Sequence, residues 1–526
     1  MHCQCVRQTE LPNTSRLFAD VLYRPDRVTA FYDYPFRDLE HYRASASRVA
    51  FPPENRAALI RALKVHNSAS PALAKLAQDG TVAVLTGQQV GLFSGPSYTI
   101  YKVLHAVRLA GWLSSNGIPA VPVFWLATED HDFAEVNHAW VFGADARPHR
   151  IETHRSAAQQ PVGGVTLPNP PLAELREALA GLPFADEVMA EVEAAYAPGN
   201  SMGGAFQDLL RRLLKRFDIL YLDPMLPEFR ELAAPALRRA VEAAPELTAS
   251  VLKRNQELAA AGYHTQVHVE ESTSLVFLLD KGKRFSLRRH GADYVHNSRR
   301  FTTAELAGRA ESLSPNALLR PVIQDSMLPT VAYIGGPAEI AYLAQSAVIY
   351  RELLGRAPIA VPRTGFTIFD SRTAKLMDRY RLTLGDFFQG ETALRERIAS
   401  RLIPETLNAA TSEARSSVDV AIARLHTELL RFDPTLAKAL EGSERKIRYQ
   451  MDKIGRKAGR EALRRDQRAD AEASSLYGLI YPERTLQERL YSILPFLARQ
   501  GLELIDLIHG AIELDCPDHR LMTLSS

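Results

Sequence analysis

Apolar residues follow two rhythms along the chain. Before residue 370 they come in short unbroken runs, Val82 to Thr86, Val121 to Ala127, Ile219 to Leu222, Thr330 to Ile334 and Ile359 to Val361, separated by helical stretches. Runs without polar alternation suit strands covered on both faces, and strands alternating with helices predict an α/β, doubly wound parallel sheet. A lead-in helix is predicted from Glu54 to about Val65, behind Pro52 and Pro53. Two gaps are too long for one crossover helix. The first, about Phe142 to Lys215, carries a helical stretch from Leu172 to Tyr196; the second, about Ser250 to Leu319, carries Thr265 to Val269 and Ser274 to Leu279, which read as a hairpin or small sheet. After Asp370 the rhythm is that of long helices. Ala414, Val418, Ala421, Leu425 and Leu429 form one stripe; beyond Asp433-Pro434, Leu440, Ile447, Met451, Ile454 and Ala458 form another. Two narrow stripes around a helix-starting proline predict an antiparallel hairpin that buries its seam internally or against a second copy. The tail from Tyr481 to Leu514 reads as helical. The expected division is core at 1–141, 216–249 and 320–385, insertions at 142–215 and 250–319, the hairpin at 386–475 and a helical segment at 476–526.

Composition narrows the class. The 526 residues are 46% hydrophobic and 24% charged, enough for packed cores, and 63 basic against 61 acidic residues leave no global field for nucleic acid or membrane. No apolar run would cross a bilayer and the start lacks a signal-peptide pattern, so a cytoplasmic location is expected. Cys3, Cys5 and Cys516 are too few and too terminal for a disulfide framework. The second hairpin arm concentrates Arg445, Lys446, Arg448, Lys453, Arg456, Lys457, Arg460, Arg464, Arg465 and Arg468. That is a solvated face or a phosphate-binding one.

Three segments carry candidate chemistry. In the first, a strand enters a loop with Gly87, Gly91 and Gly95, followed by Pro96. Glycines permit close backbone approach, and the first turn of the following helix would attract an anion, although the spacing matches neither a phosphate loop nor a dinucleotide fingerprint. Thr86, Gln88, Gln89, Tyr98, Thr99 and Lys102 are the side chains suited to a polar ligand there. In the second, a buried strand opens into Glu129, Asp130, His131 and Asp132, a cluster suited to binding or acid–base work. On a helix, His131, Glu135 and His138 would share a face and form the metal set of a hydrolase, the rival enzyme class. The third runs from Thr330 through Gly335, Gly336 and Pro337 to Glu339, with Arg320, Gln324 and Arg363 beside it to recognise carboxylates.

Together, Thr86-Gly-Gln-Gln-Val-Gly-Leu92, Gly95-Pro-x-Tyr-Thr-Ile-Tyr-Lys102, Glu129-Asp-His-Asp-Phe-x-Glu135, Gly335-Gly-Pro-x-Glu-Ile-x-Tyr342 and Leu486-Gln-Glu-Arg489 resemble the cysteine ligase family of bacillithiol biosynthesis. The resemblance implies a Rossmann-like core with two connecting-peptide insertions and a coiled coil that joins two protomers into a homodimer. It implies a ligase that adds L-cysteine to glucosaminyl malate, with adenine nucleotide (ATP or ADP) as cofactor and no metal. No His-x-Gly-His element and no Lys-Met-Ser-Lys-Ser-like loop is present. Glu129, Asp130, His131 and Asp132 are the expected catalytic group; the residues of the two glycine turns, with Arg320, Gln324 and Arg363, are the expected binders. No nucleic-acid or membrane partner is expected, although an adaptor binding RNA through the basic arm is the non-catalytic alternative.

Overall fold

The apolar runs form one sheet. In the computed structural model, which describes residues 2–154 and 159–525, five strands lie side by side: β1 (Val82–Gln89), β2 (Ala120–Ala127), β3 (Leu220–Leu222), β4 (Thr330–Gly335) and β5 (Ile359–Pro362). All are parallel, in the order β5-β4-β1-β2-β3. Helix α1 (Tyr98–Ser115) joins β1 to β2, and helix α2 (Pro337–Leu354) joins β4 to β5. Every residue of β4 is buried, as are the first six of β1, which is why neither run alternates. The chain goes one way from β1 through β2 to β3, then returns to lay β4 against the other edge of β1. The reversal opens a crevice beyond the carboxyl ends of β1 and β4, the usual ligand position in such sheets.

The gap between β2 and β3 holds a two-stranded ladder, His138–Phe142 with Pro148–Glu152, and helices Leu172–Leu179, Ala185–Ala195 and Met202–Leu213. The expected helical stretch from Leu172 to Tyr196 is thus two helices, broken around Gly181 (φ 81°) and Pro183. The gap between β3 and β4 holds helices Pro227–Glu242, Ala244–Ala260, Thr303–Ala307 and Arg320–Met327 and an antiparallel sheet containing Thr273–Asp280, Lys283–His290, Asp293–His296, Arg299–Thr302 and Leu313–Pro315. The alternation from Thr265 to Val269 forms no strand. Its backbone is bound by a side chain instead: the Gln266 and Val267 amides donate to Gln345 Oε1, and Gln345 Nε2 donates to the Val267 carbonyl.

Helices α3 (Glu405–Phe432) and α4 (Pro434–Arg465) make the antiparallel hairpin. Asp433 turns the chain and caps α4 by accepting the Thr435 amide at 2.8 Å. The seam is rotated from the expected stripe. Val418, Ile422 and Leu429 are half-buried against the second arm, while Ala414, Ala421 and Leu425 stay exposed. Part of the basic arm is neutralised locally, Arg448 by Asp419 and Glu444, and Arg464 and Arg465 by Glu461.

The tail forms short helices, Gln487–Leu490, Leu494–Gln500 and Leu504–Gly510, and then a strand, His519–Leu524. That strand pairs antiparallel with His2–Val6 and parallel with Phe366–Asp370, closing a small sheet from both chain ends. Among the described residues no helix is long and apolar enough to cross a membrane.

Candidate active site

The switch-point crevice encloses about 640 Å³. It brings together Gly87, Gln88, Gln89 and Tyr98 from the first segment, Glu129, Asp130, His131 and Asp132 from the second, and Arg320, Gly336, Glu339 and Arg363 from the third. Gly335 closes β4 just behind this wall. Thr86, Gly95, Pro96, Thr99, Lys102 and Gln324 do not reach its surface, each for a visible reason. Thr86 donates its hydroxyl to the Ile334 carbonyl and stitches β1 to β4. Gln324 accepts from Arg320 and donates to Asp325. The loop bearing Gly95 and Pro96 packs against the tail: Ser97 donates both its amide and its hydroxyl to the Tyr491 carbonyl. The Ser97 amide is therefore not available to a phosphate. The glycines of the turn serve packing, since a Cβ on Gly91 would sit 2.9 Å from Gly95 Cα, and one on Gly87 2.8 Å from the Trp125 carbonyl oxygen.

Lys102 lies wholly inside the protein, in a knot that joins the two glycine turns. Its ammonium donates to the Gly87 carbonyl and to both Glu339 oxygens, at 3.0 and 2.8 Å. Glu339 also accepts the Tyr333 hydroxyl at 2.7 Å and the Gly336 amide at 2.8 Å. Burial alone would raise the Glu339 carboxyl, but Lys102, the Gly336 amide and Tyr333 hold it below its ordinary value. Burial pulls the Lys102 ammonium down, with Glu339 opposing. Gly336, expected to hold an anion, has its amide already satisfied.

The acidic cluster sits where β2 ends, and its geometry depends on a residue that the sequence patterns did not single out. Arg284, on the strand Lys283–His290 of the second insertion, reaches over the crevice with its guanidinium 3.9 Å above the Phe277 ring. It donates to Ser314 Oγ (3.0 Å), the Pro315 carbonyl (2.9 Å), Asp130 Oδ1 (3.3 Å) and His131 Nδ1 (3.2 Å). Asp130 further accepts Gln89 Nε2 at 2.8 Å and the His131 amide at 2.7 Å. Burial would lift the Asp130 carboxyl, but Gln89, Arg284 and the His131 amide outweigh it and keep it below the ordinary range. An arginine can only donate, so His131 Nδ1 accepts and the ring of the neutral imidazole carries its proton on Nε2. Glu129 is 3% exposed, accepts Ser314 Oγ at 2.9 Å and faces Arg230 at 3.7 Å. Only an arginine at a strand's buried end could have hinted at Arg284; the run Lys283-Arg-Phe-Ser-Leu-Arg-Arg-His290 otherwise reads as an exposed basic strand.

The metal-binding alternative is corrected by the backbone. The helix after Asp132 is a single turn, Phe133–Val136, so His131 precedes it and His138 follows on a strand, its ring bonded to Asn137 Oδ1 at 3.1 Å. The i, i+4, i+7 face does not exist. Among the described residues no three histidine, cysteine or acidic side chains are grouped to hold a metal ion.

Arginines other than Arg284 line the crevice as well. Arg320 is oriented by Tyr342 (2.7 Å), Tyr333 (3.4 Å) and Gln324 (3.1 Å), and among the described residues it makes no ion pair. Arg363 lines the wall but is not free: Glu488 takes both its terminal nitrogens, at 2.9 and 2.6 Å. This explains the tail motif. Gln487 clamps Ile368 at both amide and carbonyl, Glu488 holds Arg363, and Arg489 projects to the crevice rim beside Tyr98.

A doubly wound sheet, a two-signed crevice at its switch point and an appended helical hairpin define a Rossmann-like α/β enzyme. Two family models divide the chain between them: "Bacillithiol biosynthesis BshC, N-terminal Rossmann-like domain" over residues 1–364 and "Bacillithiol biosynthesis BshC, C-terminal coiled-coil domain" over 366–524. A relative from Solibacter usitatus is 67% identical over 524 residues, covering 100% of both chains. One from Koribacter versatilis is 36% identical, covering 98% of this chain and 99% of its own, and one from Salinibacter ruber is 31% identical, covering 96% of each. All three carry the name "Putative cysteine ligase BshC". The chain belongs to the BshC family of bacillithiol biosynthesis and is a ligase of that family.

Proposed function

We propose that the crevice joins the carboxyl group of L-cysteine to the amine of glucosaminyl malate, the last step of bacillithiol synthesis. The observation that carries this reading is that one cavity is lined by carboxylates and by arginines. Glu129, Asp130 and Asp132 line it where β2 ends, with Arg284 laid over Asp130, and Arg320, without an acidic partner among the described residues, lines it together with Arg489. A sugar amine suits the acids, and the carboxylates of a malyl group suit Arg320 and Arg489. Asp130 is held charged and tied down, which fits it to orient an ammonium group. His131, with its proton on Nε2, donates a hydrogen bond, and Asp132 beside it is the acceptor for the proton that the amine loses as it attacks.

Adenine nucleotide is the activating donor of this proposal; in the two glycine turns the Ser97 and Gly336 amides are engaged and Lys102 is paired with Glu339. A homodimer, a cytoplasmic setting and the absence of a nucleic-acid partner belong to the same proposal. The test incubates purified protein with L-cysteine and glucosaminyl malate, with and without ATP, and follows the thiol product by mass spectrometry. Product only with ATP supports the reading; no product from folded protein in either tube overturns it. His131→Ala should lower turnover about 100-fold or more without unfolding the chain, and unchanged turnover would remove His131 from the site.

A further inference from the structure

The three cysteines of the chain, two at its start and one near its end, gather at one place. Cys3 and Cys5 are two apart on the strand His2–Val6, hence on one face of it, and that strand pairs with His519–Leu524 so that Cys5 lies opposite Arg520. Cys516, in the turn before the second strand, brings its sulfur to 3.8 Å from Cys5 Sγ. The Arg520 side chain is nearly buried, is anchored by Glu513 at 2.7 Å and places a guanidinium nitrogen 2.8 Å from Cys5 Sγ. Cys5 itself is exposed, so a small reagent can reach it. The cluster lies outside the switch-point crevice, and none of its sulfurs enters the proposed ligation.

We propose that Cys5 and Cys516 are a redox-active pair that undergoes thiol–disulfide exchange with a low-molecular-weight disulfide. The Cys5 thiolate attacks one sulfur of the reagent RSSR, forming a mixed disulfide and releasing one RSH. The Cys516 thiolate then attacks Cys5 Sγ, breaking the mixed disulfide, forming the Cys5–Cys516 bond and releasing the second RSH. Two protein thiols lose two electrons and two protons, and RSSR gains both. Arg520 supplies a fixed positive charge beside the sulfur that attacks first and is attacked next. Cys3 is a poor partner for Cys5, because residues two apart on an extended strand hold their Cα atoms at the upper edge of disulfide geometry. Cys516 comes from the turn before the other strand and has no such restriction.

The bond would link the two ends of the chain across the small sheet. Its middle strand begins with His519, whose ring bonds Thr367 and stands against Gly365, where Glu488 also packs while holding Arg363 at the crevice. Oxidation at the termini thus acts on a sheet that supports the crevice wall. The inference is independent of which substrates the crevice takes.

The full-length protein is incubated with oxidised glutathione, then denatured, and its free thiols are titrated and its non-reduced peptides mapped by mass spectrometry. The expected result is a fall from the three thiols of the reduced chain to one, with a Cys5–Cys516 cross-linked peptide that dithiothreitol removes. In Cys516→Ser the reaction should stop at a glutathione adduct on Cys5, and in Cys3→Ser the cross-link should form unchanged. Retention of all three thiols, a stable adduct on Cys5 in the unaltered protein, or a cross-link through Cys3 would each overturn the proposal.

Discussion

Lys102 has no exposed side-chain surface, yet it carries a charge, and what keeps it inside is Glu339. Removing one member of such a pair leaves the other buried and uncompensated, which typically costs about 3–5 kcal/mol. Lys102→Met should therefore lower unfolding stability in urea by about that amount, and Lys102→Met with Glu339→Leu should recover much of it; equal stability of the single variant and the parent would show that the pair is not what holds the two turns together. Buried histidines set a separate expectation. Burial pushes His105 down to about 3 and His519 down to about 4, from an ordinary value of 6.5. As pH falls below 6.5 the unfolded chain takes up protons that the folded chain excludes, so stability is complete above that pH and is lost towards 4. Each histidine contributes a slope of about 1.4 kcal/mol per pH unit. His519→Gln should remove about that slope between pH 6 and 4.5 in urea titrations; parallel curves for variant and parent would mean that His519 takes up its proton while folded.

At the scale of elements, close approach of strands is written in glycines. Gly87 lies where β1 passes β2 so tightly that a Cβ would meet the Trp125 carbonyl oxygen at 2.8 Å and the Trp125 Cβ at 2.9 Å. Both are held by the strand ladder, so Gly87→Ala must spread the two strands at the mouth of the crevice. The expected cost is about 1–3 kcal/mol by urea denaturation, and an unchanged midpoint would show that the ladder yields freely. The five core strands were legible because burial on both faces removes polar alternation, and the second glycine turn because Pro337 starts a helix where β4 ends. What pattern could not give was pairing between distant segments. The sheet of His2–Val6, Phe366–Asp370 and His519–Leu524 consists of short strands far apart in sequence, and the last of them sits in a segment that reads as helical. Arg284 was missed for the same reason. Its run looks like an exposed basic strand until the insertion folds back and lays it over Asp130 and His131. The acidic cluster itself was visible, because four ionisable residues after an apolar strand have no packing role, but the metal triad drawn from it assumed helical phase across a segment that makes one turn.

Across the whole molecule, the C-terminal part is built into the crevice rather than appended to it. Gln487 and Glu488 fix the β5 end through Ile368 and Arg363, and Arg489 stands at the rim. The helical hairpin, in contrast, projects with little of its own surface covered: α3 has no fully buried residue. Its half-buried seam, Val418, Ile422 and Leu429 facing the second arm, accounts for only part of the apolar content. Val420 is 67% exposed on one arm and Ile454 65% exposed on the other, with Leu425 and Ile447 also outside the seam. Large aliphatic side chains lie exposed on both arms of the long hairpin, outside the intramolecular contact, and exposed apolar surface of this kind marks interaction sites when it is contiguous. A second copy of the hairpin is the occupant we propose, since an antiparallel pair of arms offers the same stripe to its own two-fold mate. Light scattering on the full-length protein should give twice the chain mass, and Val420→Lys with Ile454→Lys should give the mass of a single chain while the core remains folded by circular dichroism. A single-chain mass for the unaltered protein would overturn the pairing and leave these aliphatic residues without an occupant.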